Sequence, residues 1–137
     1  MARTVLADTG FLVALLSRRD RHRAWATAQV AHLAHPWMTC EAVLSETFHL
    51  LAPLGTRPLA ELLRRDVLRL AFDLHGHRDA VLALMNKYAD VPMSLADACL
   101  VRMSEILADP VVLTTDEDFR VYRRHSRQIV PCLIPES

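Results

Sequence analysis

The chain has 137 residues, 52% of them hydrophobic but only 6% aromatic, and 3 are glycine; this is the length of one domain with a real core, and too poor in turn residues for an all-β fold. Lys+Arg and Asp+Glu each number 16, so there is no global charge bias towards nucleic acid, although Lys87 is the only Lys among the basic residues. The 3 cysteines are scattered without CxxC spacing, and no signal peptide or apolar run of membrane length is apparent, so a disulfide framework, a zinc knuckle and a membrane partner are excluded and a reducing cytoplasm is expected.

Thr4–Ala7 reads as a short buried strand, followed by a helix over Phe11–Leu16 with Asp8 or Thr9 placed to cap it. His22–Ala34 is an Ala-rich helical stretch carrying Trp25, and Trp37–Thr39 is a second short strand after Pro36. Cys40–Leu51 is a strong helix stopped by Pro53 and Gly55, and Pro58 suits the first turn of another helix running to Asp66. Val67–Phe72 has strand character, with helix potential close behind, and Arg78–Tyr88 is helical. Ser94–Ala108 is a long helix, Val111–Thr114 the clearest buried strand, and Phe119–Arg124 a short helix. Gln128–Ile134 reads as a last strand, at an edge because Pro131 interrupts it. Short apolar strands alternating with amphipathic helices predict one domain over residues 1–137: an α/β fold with helices on both faces of a short central parallel sheet.

The triplet Asp8-Thr9-Gly10 matches the catalytic triplet of aspartic proteases. Those enzymes are built of strands and hairpins, and the helical pattern after Asp8 excludes them. In a parallel α/β sheet, ligands bind beyond the carboxyl ends of the strands. Asp8 ends the first strand, and Asp116 and Asp118 follow "VVLT". If those strands are neighbours, carboxylates meet at one rim. Asp97 sits at the third position of a helix capped by Ser94, where capping alone would explain it; yet Ala96, Ala98, Leu100 and Val101 surround it, so its side of the helix is not plainly solvated. Glu46 borders the apolar stripe of its helix beside Val43 and Leu50, where a solvent-edge Glu would be unremarkable. A single Glu46/His49 pair is too little for a di-iron bundle, and a polar turn accounts for His75-Gly76-His77. Arg18, Arg19, Arg21 and Arg23 form one basic cluster, and Arg120, Arg123, Arg124 and Arg127 another. Guanidinium groups match phosphate with paired donors, although each cluster alone would equally be a solvated helix end.

Four segments together, "LADTGFLVALL", the helix position of Glu46, "SLADACLV" and "VVLTTDEDF", resemble the PIN-domain nucleases, and most of all the VapC-type toxin ribonucleases of toxin–antitoxin systems. The resemblance runs essentially end to end, and order, spacing and flanking apolar residues agree. It implies a three-layer α/β/α PIN-like fold and an active site made by Asp8, Glu46, Asp97 and Asp116, with Thr9 and Thr114 holding it and Asp118 at a more variable, supporting position. It implies Mg²⁺ or Mn²⁺ held by Asp8, Asp97 and Asp116. The chemistry agrees: carboxylates about 4 Å apart repel by roughly 4 kcal/mol per pair at an effective dielectric near 20, and oxygen-only ligands suit a hard divalent ion. In-line attack of water on RNA would leave a 5′-phosphate and a 3′-hydroxyl, with Arg18, Arg19, Arg120 and Arg123 as candidates to hold flanking phosphates. A cognate antitoxin and a homodimer are the implied protein partners. The alternative is a catalytically inactive PIN-like module that binds RNA or protein; the presence of all four acids argues against it. A haloacid-type phosphatase would need an acid where Gly10 stands, and a receiver domain a Lys after a late strand.

Overall fold

The computed structural model describes residues 3–136, so the ends of the expected 1–137 unit lie outside the described residues. Its centre is β1 (Thr4–Ala7), in which Val5, Leu6 and Ala7 are buried, as a strand covered on both faces requires. β1 pairs in parallel with β2 (Trp37–Thr39) on one side and β4 (Pro110–Leu113) on the other. β3 (Leu68–Leu70) lies beyond β2, and β7 (Cys132–Leu133) beyond β4, giving a five-stranded parallel sheet in the order β3-β2-β1-β4-β7. Thr4 stands opposite Pro110 and Ala7 opposite Leu113; Pro110 is tolerated as the first residue of its strand.

Helices supply the crossovers and flank the sheet. α1 (Thr9–Leu16) and α2 (Arg23–Val30) lead from β1 to β2, and α3 (Glu41–Leu51) and α4 (Arg57–Arg64) from β2 to β3. α5 (Arg78–Lys87) and α6 (Leu95–Ile106) then return the chain to the other side of β1 for β4. α3 packs on both α1 and α6. The few aromatic residues are concentrated: Phe11 meets Trp25 at 6.0 Å and Trp37 at 5.5 Å, edge to face, an arrangement that ring quadrupoles favour.

Because β2 and β3 extend the sheet one way from β1 while β4 lies on the other, the direction of winding reverses between β1 and β4. A crevice opens at the carboxyl ends of two strands at such a switch point. The fold thus places the segments after Ala7 and Leu113 side by side.

Three expected elements differ from what forms. The helix over His22–Ala34 stops at Val30, where His32 and Leu33 close tight turns onto Gln29 and Val30; a residue before Pro36 is disfavoured in helix, and β2 begins directly after it. The short helix over Phe119–Arg124 is a 3₁₀ turn, Glu117–Arg120, followed by β5 (Arg123–Arg124). β5 pairs antiparallel with β6 (Gln128–Ile129), the reversal lying at His125 and Ser126, whose φ angles are 48° and 69°. The last strand is therefore split: β6 belongs to this ribbon, and only β7, after Pro131, joins the five-stranded sheet, at the edge opposite β3. Among the described residues no helix is long and apolar enough to cross a membrane.

Candidate active site

Asp8 ends β1 and begins α1. Its backbone is extended, its N–H donates to the Leu113 carbonyl at 3.0 Å, and its Oδ1 accepts from the Thr9 N–H at 2.8 Å. The carboxylate is thus the N-cap of α1. Its second oxygen is also engaged, because the Thr114 hydroxyl, 106 positions away in sequence, donates to Oδ2 at 2.6 Å. The same Thr114 oxygen accepts from the Asp116 N–H at 2.9 Å. One hydroxyl, used as donor and acceptor, thereby ties the end of β1 to the turn after β4.

Asp116 caps the 3₁₀ turn, its Oδ1 accepting from the Asp118 N–H at 2.9 Å. Asp118 lies in the first turn of that element, half-buried. Asp97 comes from α6. Its N–H donates to the Ser94 hydroxyl at 3.0 Å, the cap expected there, while its Oδ2 accepts from the Tyr122 hydroxyl at 2.9 Å. Glu46, on the exposed side of α3, is joined to the site through the Thr9 hydroxyl, which lies 3.0 Å from Glu46 Oε2. Thr9 therefore links the first turn of α1 to α3.

The acids feel one another. Asp8 is only 5% exposed; its pKa is raised from 3.8 to about 7, first by burial and then by repulsion from Asp97 and Asp116, against the opposing Thr114 and Thr9 hydrogen bonds. Asp97, 9% exposed, is likewise pushed up by burial and by Asp116, with the Tyr122 hydroxyl and Ser94 pulling back. Burial and Asp116 raise Asp118 in the same direction. The Tyr122 phenol is pushed well above its ordinary value by burial and by Asp97, so it remains a donor. The ion pairs of the described residues, which use Glu61, Asp66 and Glu105, leave these acids without a cationic partner.

Such a set suits a hard divalent cation: the donors are carboxylate oxygens, mutually repelling and uncompensated. Among the described residues no three His, Cys, Asp or Glu side chains form a ready-made cage; Asp8, Glu46, Asp97 and Asp116 are each tied back by a hydrogen bond of their own.

The basic residues distribute unevenly. Arg18 and Arg19 line a depression with Leu54, Gly55 and Pro58, whereas Arg21 and His22 share a cleft of about 280 Å³ with Thr115, Asp116 and Glu117. Arg123 spends one guanidinium nitrogen on the carbonyls of Arg120, Val121 and Tyr122, and Arg124 donates to the Ser104 carbonyl. Arg120 is exposed. Of the first cluster, Arg21 rather than Arg18 or Arg19 is thus the residue beside an acid of the site.

The sequence did not point to Tyr122, and it offered Gly10 only as part of the Asp8-Thr9-Gly10 triplet, without a role. Tyr122 sits in "RVYRRH", which reads as a basic helix end; the one available signal was an aromatic residue in a chain that has few. Gly10 is required by close approach: a Cβ there would fall 2.0 Å from Thr115 Oγ1 and 3.1 Å from Thr115 Cβ. Its hydrogen lets α1 lie directly against the turn that carries Asp116.

A family model described as PIN domain matches residues 5–124. None of the curated proteins compared matches the chain.

Proposed function

The chain belongs to the PIN-domain family, a nuclease-type fold, and on that premise we propose that it is a Mg²⁺- or Mn²⁺-dependent endoribonuclease, the VapC-type toxin of a type II toxin–antitoxin pair. One observation carries the catalytic part: Asp8, Asp97 and Asp116, from three separate parts of the chain, repel one another at the switch point, and among the described residues none of them is ion-paired. Asp8, Asp97 and Asp116 are the residues that would hold the ion. When bound, a hard divalent ion acidifies water and offsets charge on the phosphodiester oxygens.

The remaining work falls to the chain. Thr114 orients Asp8 and the backbone of Asp116 together, and Tyr122 fixes Asp97. Glu46, exposed and steadied by Thr9, is the carboxylate free to take a proton from the attacking water. The water oxygen bonds to phosphorus, the bond to the 3′-oxygen breaks, and that oxygen is protonated from solvent. Arg21, on one cleft with Asp116, is the candidate for a flanking phosphate; Arg120 is exposed, and Arg18 and Arg19 line another depression. Exposed Leu50 and Leu54, at and just after the end of α3, support the homodimer and antitoxin parts of the reading; a cytoplasmic setting goes with them.

The test is cleavage of RNA by purified protein. Turnover is expected with Mg²⁺ or Mn²⁺ and none in excess EDTA; undiminished cleavage in EDTA would remove the metal mechanism. The second reading, a module that binds without cutting, is favoured by one observation, the lack of a ready-made cage among the described residues. RNA binding without metal-dependent cleavage would decide for it.

A further inference from the structure

Beside the acids, the carboxyl rim of the sheet continues into a groove of about 430 Å³ that shares only Glu46 with the proposed chemistry. Its walls are the N-cap and first half of α3 (Cys40, Ala42, Ser45), the segment after β3 (Phe72, Leu74) and the start of α6 (Leu95, Ala96, Cys99). Glu41 and Glu46 stand on its lining, and Lys, Arg and His are absent from it. The volume is in the range of small-molecule sites, roughly 300–1,000 Å³.

We propose that this groove, adjoining Glu46 and the residue before Asp97, is a subsite for one nucleobase of the RNA, flanking the scissile phosphate and preferring a base with an exocyclic amino group. The proposal rests on the nuclease reading for the identity of the polymer. Three features carry it. First, the groove shares Glu46 with the site, and Ala96 adjoins Asp97, so a strand whose phosphate lies at the acids has its neighbouring nucleotide within reach. Second, the charge pattern separates the parts of a nucleotide. A lining with two carboxylates and no cation repels phosphate, whereas an apolar slot accepts the flat face of an unstacked base, the usual mode of single-stranded RNA recognition. A carboxylate at the rim accepts from an amino group, as Glu and Asp do towards cytosine N4. Third, the aromatic wall is buttressed. Phe72 stacks on His77 at 5.3 Å and 21°; His77 Nδ1 accepts from Arg102 Nε at 3.2 Å, and Arg102 is paired with Glu105 at 3.1 Å. Glu41 alone would mean little, since an acid in the first turn of α3 is favoured by the helix dipole; its place on this cavity gives it a second use.

The test uses short single-stranded RNAs carrying the fluorescent base 2-aminopurine at each position in turn, with Ca²⁺ in place of Mg²⁺ so that binding is read apart from turnover. Wild type is compared with Ser45→Trp, which fills the groove from an exposed position on α3, and with Glu41→Gln; melting curves confirm that both are folded. The expected result is an emission change at one position only, lost in Ser45→Trp. With Mg²⁺, Glu41→Gln should reduce the preference for amino-bearing bases over uracil at that position by roughly tenfold. A change spread over all positions, or one that survives Ser45→Trp, overturns the subsite and leaves the groove to a protein partner. The two readings fail separately. A position-specific signal lost in Ser45→Trp without any Mg²⁺-dependent cleavage sinks the nuclease and keeps the base site. Cleavage with neither signal nor preference altered does the reverse.

Discussion

Asp8 has two roles that the sequence alone sets against each other. As N-cap it gives one oxygen to the Thr9 N–H, and as a member of the acid cluster it gives the other to Thr114. Burial and the neighbouring acids leave its pKa near 7 instead of 3.8, and this has a sign. Between those values the folded chain holds a proton that the unfolded chain has released, so stability falls as pH rises through the window. Asp97 shifts in the same direction. Metal-free protein is therefore expected to lose melting temperature between pH 4 and pH 7 more steeply than Asp8→Asn does; parallel melting curves for the two proteins across that range would show that Asp8 carries no raised pKa in the folded chain. Tyr122 makes a second prediction at this scale. Tyr122→Phe keeps the ring contacts with Tyr88 and Phe119 but removes the donor to Asp97. Loss of one partner from a buried hydrogen bond costs about 1–3 kcal/mol. The variant should fold and need a higher Mg²⁺ concentration for half-maximal cleavage. An unchanged Mg²⁺ dependence would reduce Tyr122 to packing. The sequence offers Asp97 readily, because an acid among apolar neighbours stands out. It hides Tyr122, which lies 25 positions further on among arginines.

At the scale of elements, legibility follows burial. β2 forms over the expected residues, and β1 likewise, because each is a short apolar run bounded by polar or turn residues and sealed by neighbours on both sides. The capped start of α6 was equally plain, since Ser94 and Asp97 carry the signature locally. The region after β4 was not. Whether "EDFRVYRR" coils as a helix or turns back as a ribbon depends on burying Phe119 and Tyr122 and on left-handed backbone at His125 and Ser126, and propensity records neither. The same stretch separates the roles of its two aspartates. Asp116 takes the Asp118 N–H with one oxygen, and its own N–H is held by the Thr114 oxygen that bonds Asp8. Asp118 makes no corresponding link to Thr114. Asn caps about as well as Asp, so Asp116→Asn should melt close to wild type yet lose most cleavage, while Asp118→Asn keeps a substantial fraction. Cleavage of one RNA by both variants, with melting curves alongside, checks this. An inactive, folded Asp118→Asn beside an active Asp116→Asn would reverse the assignment of this turn.

For the whole molecule, what matters is that residues 8, 97 and 116 meet only when the sheet is assembled in the order β3-β2-β1-β4-β7. The alternation of strands and helices foretold a parallel sheet, and the carboxyl-end rule pointed to its rim. That β4 returns to the far side of β1 is a matter of long-range pairing, which short apolar strands do not encode locally. The consequence is energetic as well as geometric. Without an ion, repulsion among carboxylates from β1, α6 and the turn after β4 opposes the folded state. A bound ion would hold those elements together, and because the unfolded chain lacks the site, binding would stabilise the fold by about 2.7 kcal/mol at a hundredfold excess over Kd. At roughly 3–5 °C per kcal/mol for a chain of this size, Mg²⁺ or Mn²⁺ should raise the melting temperature of the wild type by several degrees. Asp8→Asn removes one charge and keeps a capping side chain, so it should melt above the wild type in EDTA and respond little to the ion. The order of the two proteins should therefore narrow or invert as Mg²⁺ is added. Should the ion leave the wild type unmoved, it does not sit among these acids. Should Asp8→Asn melt lower in EDTA, the Thr114 and Thr9 hydrogen bonds to a charged Asp8 outweigh its repulsion.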